Sequence, residues 1–462
     1  MLQNLQEAKK EPSAFFRWVV LLFISLAMFG NYYIYDSISP LADLLVKQLN
    51  FTDADIGLLQ AIYSFPNIVM VLLGGIVIDK IGTRKSVFIF TLLIMIGALV
   101  TALKGEIFLM AAGRLIFGLG AESMIVAITT IIARWFKGKE LSFAFGLNLT
   151  VARLGSFLAL NSPTWGKELY SDWQSPLWIT VGAGIFSVIC IIIYYLMDAY
   201  AAKNLLVSRE GKQDKIIFKD IFKFSASFWF ITFLCVTFYS AMFPFQTFAI
   251  KFFQEAHGTT REVGGNLSSI LTLSAMIFTP LFGLLADRIG KRSLLMMFGS
   301  LLIIPVYLMM AYKVGRPEIL SHDSFINLNF DFFDIHAAIP KYLLVPVSMM
   351  GIAFSLIPAV MWPSVAYVVE GKKLGTAYGL MTMIQNIGLF GFNLVIGFAN
   401  DLSGASSANP DGYNLGMWIF STLGFLGLFF SFMLRKTETG PKGYGLELPA
   451  GSKQETSAAV KE

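Results

Sequence analysis

The sequence predicts an all-α integral membrane protein of twelve transmembrane helices in two pseudo-symmetric six-helix halves. Of its 462 residues, 56% are hydrophobic and only 14% charged, whereas a soluble domain carries about 25% charged residues. Twelve apolar runs each approach the roughly 20 residues needed to cross a hydrocarbon core. A polar loop, GGIVIDKIGTRK from Gly74 to Lys85, returns as GLLADRIGKR from Gly283 to Arg292. Gly75, Asp79, Gly82 and Arg84 meet Gly283, Asp287, Gly290 and Arg292 at one offset of 208 residues, so a short polar turn between two helices occurs once in each half.

In chain order, the expected spans are 16–40, 54–79, 86–103, 107–134, 140–163 and 176–199, then 225–252, 263–287, 293–312, 339–369, 373–400 and 413–435. They divide the chain into an amino-terminal segment 1–15, a first bundle 16–199, a linker 200–224, a second bundle 225–435 and a tail 436–462. The first run continues past Tyr35 without a small-residue cleavage site, so it is expected to be kept as a helix. The tail is rich in Gly, Ser, Thr, Lys and Glu and is expected to be disordered, because it offers little apolar surface to bury. The linker mixes charged and apolar residues at helical spacing, as a helix lying on the membrane surface would.

Charge then sets orientation. With a cytoplasmic amino terminus, 25 Lys and Arg fall in cytoplasmic segments and 8 outside, leaving Arg114 and Arg153 within helices. Both termini are therefore expected on the cytoplasmic side. Cys190 and Cys235 fall inside apolar runs, which argues against a disulfide framework. The long loop after the ninth run carries His322 and His336 among Asp323, Asp331 and Asp334, but the spacing matches no standard metal site. No metal, cofactor, catalytic residue or nucleic-acid partner is expected.

Ionisable residues inside a bilayer usually face the bundle interior. Counting 1.5 Å per residue from the turn between the fourth and fifth runs puts Glu122 about 18 Å and Arg153 about 20 Å into the membrane. Two readings stand at this point. The pair is a salt bridge that neutralises two costly charges, or it is a site for a zwitterion, the carboxylate taking an ammonium and the guanidinium a carboxylate. A second repeat, GKELSFAFGLNLTVARLGSF from Gly138 against GKKLGTAYGLMTMIQNIGLF from Gly371, equates Arg153 with Asn386 and Glu122 with Ser355. Only the first half carries this mid-membrane charge. Tyr35, Tyr63, Asn148, Tyr239, Trp362, Gln385 and Asn386 complete the candidate substrate-binding set, each of which could equally be packed between helices.

The duplicated Gly-x-x-x-Asp-Lys/Arg-x-Gly-x-Arg/Lys loop resembles the signature loop of the major facilitator superfamily. The resemblance implies a gating and structural role for Gly75, Asp79, Gly82, Arg84, Asp287, Gly290 and Arg292. Arg114, followed by Gly118, resembles the superfamily's second motif; with Asp36 it is expected to form an outer gate or structural pair, or to serve proton coupling. A narrower resemblance rests on YDSISP, YSFPNIV, GAESMIVA, WFKGKELSFAFGLNLTVARLGS, CVTFYSAMFPF and WPSVAYVV through GTAYGLMTMIQNIG. These stretches are similar to the lysosomal dipeptide transporter group, which implies that Glu122 receives a dipeptide's amino terminus and Arg153 its carboxylate.

The expected function is alternating-access transport of dipeptides or similar small zwitterions by facilitated diffusion, as a monomer in the bilayer. Its rivals are a proton-coupled carrier of amino acids or carboxylates and a nutrient receptor that binds without transport. The amino terminus lacks the acidic dileucine signal of a lysosomal member, so the plasma membrane, and a bacterial inner membrane in particular, is the expected location.

Overall fold

The computed structural model describes residues 11–136, 140–205, 224–317, 324–330, 335–370, 373–441 and 443–449. Twelve long helices are present among them: α1 (Ala14–Asp36), α2 (Asp53–Ile81), α3 (Thr83–Leu103), α4 (Ile107–Phe136), α5 (Leu141–Leu160), α6 (Ser175–Asn204), α7 (Ala226–His257), α8 (Arg261–Ile289), α9 (Arg292–Ala311), α10 (Lys341–Val368), α11 (Leu374–Leu402) and α12 (Asn414–Glu438). Eleven candidate spans are long and apolar enough to cross a membrane, and α2, bent by 57° around residues 71–72, supplies a twelfth. The expected all-α membrane architecture is therefore the observed one.

Helix ends follow local chemistry. Ser13 and Ser225 cap α1 and α7 by accepting from Phe16 N and Phe228 N, and Thr260 does the same for α8 through Val263 N. The first apolar run breaks at Asp36, earlier than the expected residue 40, where Ser-Ile-Ser-Pro turns through the short helix Ser39–Leu41 into the helix Ala42–Leu49. In the other direction, α6 and α7 each run five residues beyond their expected ends. The apolar runs end just after Asp198 and Lys251, whereas the helical backbone continues past both residues, each of which is ion-paired.

The chain forms two compact units, the first comprising Met1–Leu49, Ile62–Ala159 and Glu168–Gln213, and the second Asn50–Ala61, Leu160–Lys167 and Asp214–Glu462. Within the first, α3 packs on α4 and α6, and α1 on α6; within the second, the repeat-equivalent α9 packs on α10 and α12, and α7 on α12. The sequence repeat is thus a repeat of helix packing. The approach of α3 to α4 depends on Gly97, Gly113 and Gly120, where an added Cβ would collide with Phe117 N, Thr101 N and Phe90 O of the facing helix. Val20, Ile24, Phe90, Ile94, Phe117, Ile128, Ile131 and Tyr194 fill the core beside them.

Helix α2 is divided between the units, and its first turn is bound by the second. Asp401 at the end of α11 accepts from Asp53 N and Ala54 N at 2.8 Å each, which caps α2 from another helix. The Asp53 carboxylate in turn accepts from Lys251 Nζ of α7 at 2.6 Å and Asn400 Nδ2 at 2.9 Å, and Lys251 also pairs with Glu255 at 3.5 Å. Tyr413 donates to Glu255 at 2.5 Å. Lys251 thus pairs with two carboxylates, Asp53 and Glu255, which also accept from Asn400 and Tyr413.

Among the described residues, the long loop before α10 holds two antiparallel strands, β1 (Phe325–Phe330) and β2 (Ile335–Pro340), with His336 opposite Asn329. His322, Asp323, Asp331 and Asp334 lie outside the described residues, as does the linker 206–223. No metal-binding cluster occurs among the described residues. Of the tail, residues 442 and 450–462 lie outside the described residues, and the described ones depart from the expected disorder. The chain stays helical to Glu438, and residues 443–449 fold back so that Leu446 is fully buried, anchored through backbone groups and one carboxylate that a hydropathy argument does not register.

Candidate functional site

Helix α4 ends at Phe136 and α5 begins at Leu141, so Glu122 lies about 21 Å and Arg153 about 18 Å from the turn that joins them. Their depths match. Glu122 accepts a hydrogen bond from Tyr63 Oη at 3.4 Å, and Tyr63 meets Tyr35 edge-on at 4.8 Å and Phe117 at 5.0 Å. Arg153 stands 5.8 Å from the ring centroid of Tyr32. Glu122 and Arg153 each face a tyrosine at this depth. Asn148 is directed elsewhere: its Nδ2 donates to Ser25 Oγ at 2.9 Å and ties α5 to α1.

Arg114 is fully buried, at 1% exposure, and donates to Ile34 O at 3.1 Å and Tyr35 O at 3.3 Å. It thereby caps the carboxyl end of α1, where a cation also meets the favourable end of the helix dipole. Its guanidinium is enclosed by Phe117 at 5.0 Å, Tyr63 at 5.7 Å and Tyr35 at 6.0 Å. Of the two roles open to it, the structural one is the one these contacts describe. Asp36, the last residue of α1, is buried close by in sequence to those carbonyls.

In the second unit, Trp362 Nε1 donates to Tyr239 Oη at 2.9 Å, and Tyr378 Oη donates to the carbonyl of Trp362 at 3.1 Å. Phe243 stacks on Tyr239 at 5.5 Å, completing an aromatic cluster. Gln385 accepts from Cys235 Sγ at 3.6 Å. Asn386, at 1% exposure, donates to Thr382 O of its own helix, while its Oδ1 is buried without a hydrogen-bond partner. The repeat position of Arg153 therefore holds an unfilled acceptor.

The two signature loops turn alike but are held differently. Gly82 and Gly290 both adopt positive φ, 84° and 66°, which a side-chain-bearing residue rarely does. Arg84 pairs with Asp198 of α6 at 3.6 Å and lies 5.2 Å from Tyr195, and Arg134 pairs with the same carboxylate. Arg292 instead pairs with Asp287 at 2.7 Å and stacks 4.3 Å from Tyr367. Gly75 is buried and Asp79 exposed.

The profile of the Major Facilitator Superfamily matches residues 24–315 and, in a second match, 245–458. The chain belongs to the Major Facilitator Superfamily. It is 33% identical over 402 residues to the lysosomal dipeptide transporter MFSD1 of Danio rerio, covering 84% of this chain and 81% of that protein. The figures for MFSD1 of Homo sapiens are the same, 33% over 402 residues with 84% and 81% covered. Among solved structures, the nucleoside transporter NupG superposes with a TM-score of 0.69 at 15% identity, covering 90% of this chain and 99% of that one, a likeness of fold. Membership of this superfamily indicates a small-molecule transporter embedded in the membrane, and a transporter rather than an enzyme.

Tyr32, Phe243 and Tyr378 were absent from the candidate set. Two of them left a trace: Tyr32 precedes Asp36 by one helical turn beside Tyr35, and Tyr378 repeats Phe145 in the AFG and AYG of the second repeat.

Proposed function

We propose that this superfamily member carries dipeptides or similar small zwitterions by facilitated diffusion, with Glu122 receiving the ligand's ammonium and Arg153 its carboxylate. One observation supports the reading: two opposite charges lie at one depth, each against a tyrosine. A charge in a membrane interior is costly and marks a ligand site by default. A zwitterion meets both charges at once. The dipeptide transporters named above, similar over most of both chains, support the same substrate class. Tyr35, Tyr63 and Tyr32 are assigned to positioning of the two charges, and Tyr239, Trp362, Gln385 and Asn386 to further substrate contacts. Asn148 is kept as a member of the set that acts through its tie to α1. The protein is placed in a plasma membrane with both termini cytoplasmic, and it acts as a monomer.

Purified protein screened for thermal stabilisation by amino acids, dipeptides, tripeptides, sugars and organic acids tests the substrate class, because a ligand that binds the native state stabilises it by mass action. Dipeptides are expected to stabilise it, and their free amino or carboxyl termini to be required. Stabilisation by organic acids with no response to dipeptides would overturn the reading in favour of a carboxylate carrier.

A further inference from the structure

The two signature loops differ in what covers their glycines. Nothing lies within 4 Å of a Cβ built on Gly82, whereas one on Gly290 would meet Glu447 O at 2.5 Å, Leu448 C at 2.5 Å and Pro449 N at 2.7 Å. The second loop is covered by the carboxyl-terminal segment. The contact is polar and directional. Lys291 N donates to Glu447 O at 3.0 Å, and Ser293 N, at the start of α9, donates to the Glu447 carboxylate at 3.0 Å. Arg292, at 1% exposure, donates to Leu446 O at 3.4 Å and Leu448 O at 3.1 Å.

The segment is also shaped from its own side. Glu438, the last residue of α12, accepts from Tyr444 N at 2.9 Å and Leu446 N at 3.4 Å, and Gly445 turns the chain with φ 80°. Leu446 is completely buried. A buried guanidinium needs acceptors, and here two peptide carbonyls of the tail join the Asp287 carboxylate. A carboxylate is likewise favoured at the free N–H groups of a helix start.

We propose that the loop Asp287–Ser293 is a peptide-binding site and that the segment Tyr444–Leu448 is its ligand, held in cis. The recognised chemistry is a short turn-forming peptide that presents a buried leucine, a glutamate carboxylate for the start of α9, and two carbonyls for Arg292. Tethering raises the effective concentration of such a ligand to the millimolar range, so the same peptide binds the emptied loop only weakly when free. A peptide of this kind can compete for the loop in trans.

Hydrogen exchange of the full-length protein provides the test, with the variants Glu447→Ala and Leu446→Asp and a chain stopped after Gly443. Both point variants and the shortened chain are expected to exchange the amides of Lys291 and Ser293 about tenfold faster, as losing one hydrogen bond allows. Exchange in α3 and α4 should stay unchanged. A synthetic peptide spanning residues 443–450, added at several millimolar to the shortened chain, should restore protection, and the same peptide carrying E447A should not. Unchanged exchange at Lys291 and Ser293 in the point variants overturns the proposal even if the shortened chain fails to fold. Failure of the wild-type peptide to protect a folded shortened chain also overturns it, reducing the segment to an end of the polypeptide without a separable site. Dipeptide-induced stabilisation should be the same in the point variants as in wild type, which separates this test from that of the substrate site.

Discussion

Arg153 and Arg114 lie on neighbouring helices of one unit and face opposite fates. Arg114 is enclosed by rings and satisfied by the last carbonyls of α1, whereas Arg153 is half-buried and stands against the Tyr32 ring. Replacing each by Lys therefore gives different results. Arg153→Lys keeps the charge but loses the planar two-point grip on a carboxylate, so dipeptide affinity, read by isothermal titration, is expected to fall at least about tenfold, a loss of roughly 1.5 kcal/mol or more. Stability should barely change. Arg114→Lys should lower the unfolding temperature by roughly 2 to 4 °C while the folded fraction binds dipeptide as before. Wild-type affinity in Arg153→Lys would remove the guanidinium from substrate recognition.

At the scale of elements, helix ends depend on caps, some local and some supplied by another helix. Asp172, before α6, accepts from Gln174 N and Ser175 N at 2.8 Å each and from Ser175 Oγ at 2.6 Å. The Ser175 hydroxyl bond, with the backbone bonds behind it, holds this carboxyl below its usual range. A depressed folded value contributes stability above the ordinary carboxylate range and loses it as pH falls through the folded value. Asp172→Ala should therefore destabilise the protein by about 1 kcal/mol at neutral pH, and the gap from wild type should close on acidification below about pH 4. The Asp53, Lys251, Glu255 and Tyr413 network behaves differently. Truncating one member of a buried pair strands the other, so Lys251→Met should destabilise by roughly 3 to 5 kcal/mol, and Asp53→Asn added to it should recover part of the loss. A denaturation series on the two variants and their combination checks this, and full additivity would mean that the pair is not coupled.

For the whole molecule, the architecture was legible because two independent signals agree. Apolar length marked the helices, and the offset of Asp79 from Asp287 and of Arg84 from Arg292 marked the halves that the packing of α3 and α9 reproduces. The depth of Glu122 and Arg153 was legible for the same reason, since helix rise is constant. Their partners were not. Which ring a side chain meets depends on rotamer and on the neighbouring helix, so the sequence does not show Tyr32 beside Arg153 or the carbonyls that Arg114 meets. The tail's hold on Arg292 is not legible in the sequence because it uses carbonyl groups that every residue has. Orientation rests on charge alone. Single cysteines at Ser208 and Ser324 should react with an impermeant reagent from opposite sides, cytoplasmic and external respectively, and same-side labelling would reverse the assignment.

The central claim, that Glu122 receives an ammonium, is tested most directly by Glu122→Gln, with dipeptide affinity and gradient-driven accumulation measured on one proteoliposome preparation from pH 5 to pH 8. The amide keeps an acceptor for Tyr63 Oη but removes the negative charge, so a bound ammonium loses about 1.5 to 3 kcal/mol of charge-assisted stabilisation. Affinity is predicted to fall at least about tenfold at every pH, and flux to follow the dipeptide gradient alone in wild type. Retained affinity with abolished accumulation would contradict the account, because the Gln side chain mimics a protonated carboxyl and that outcome belongs to a proton-coupled carrier.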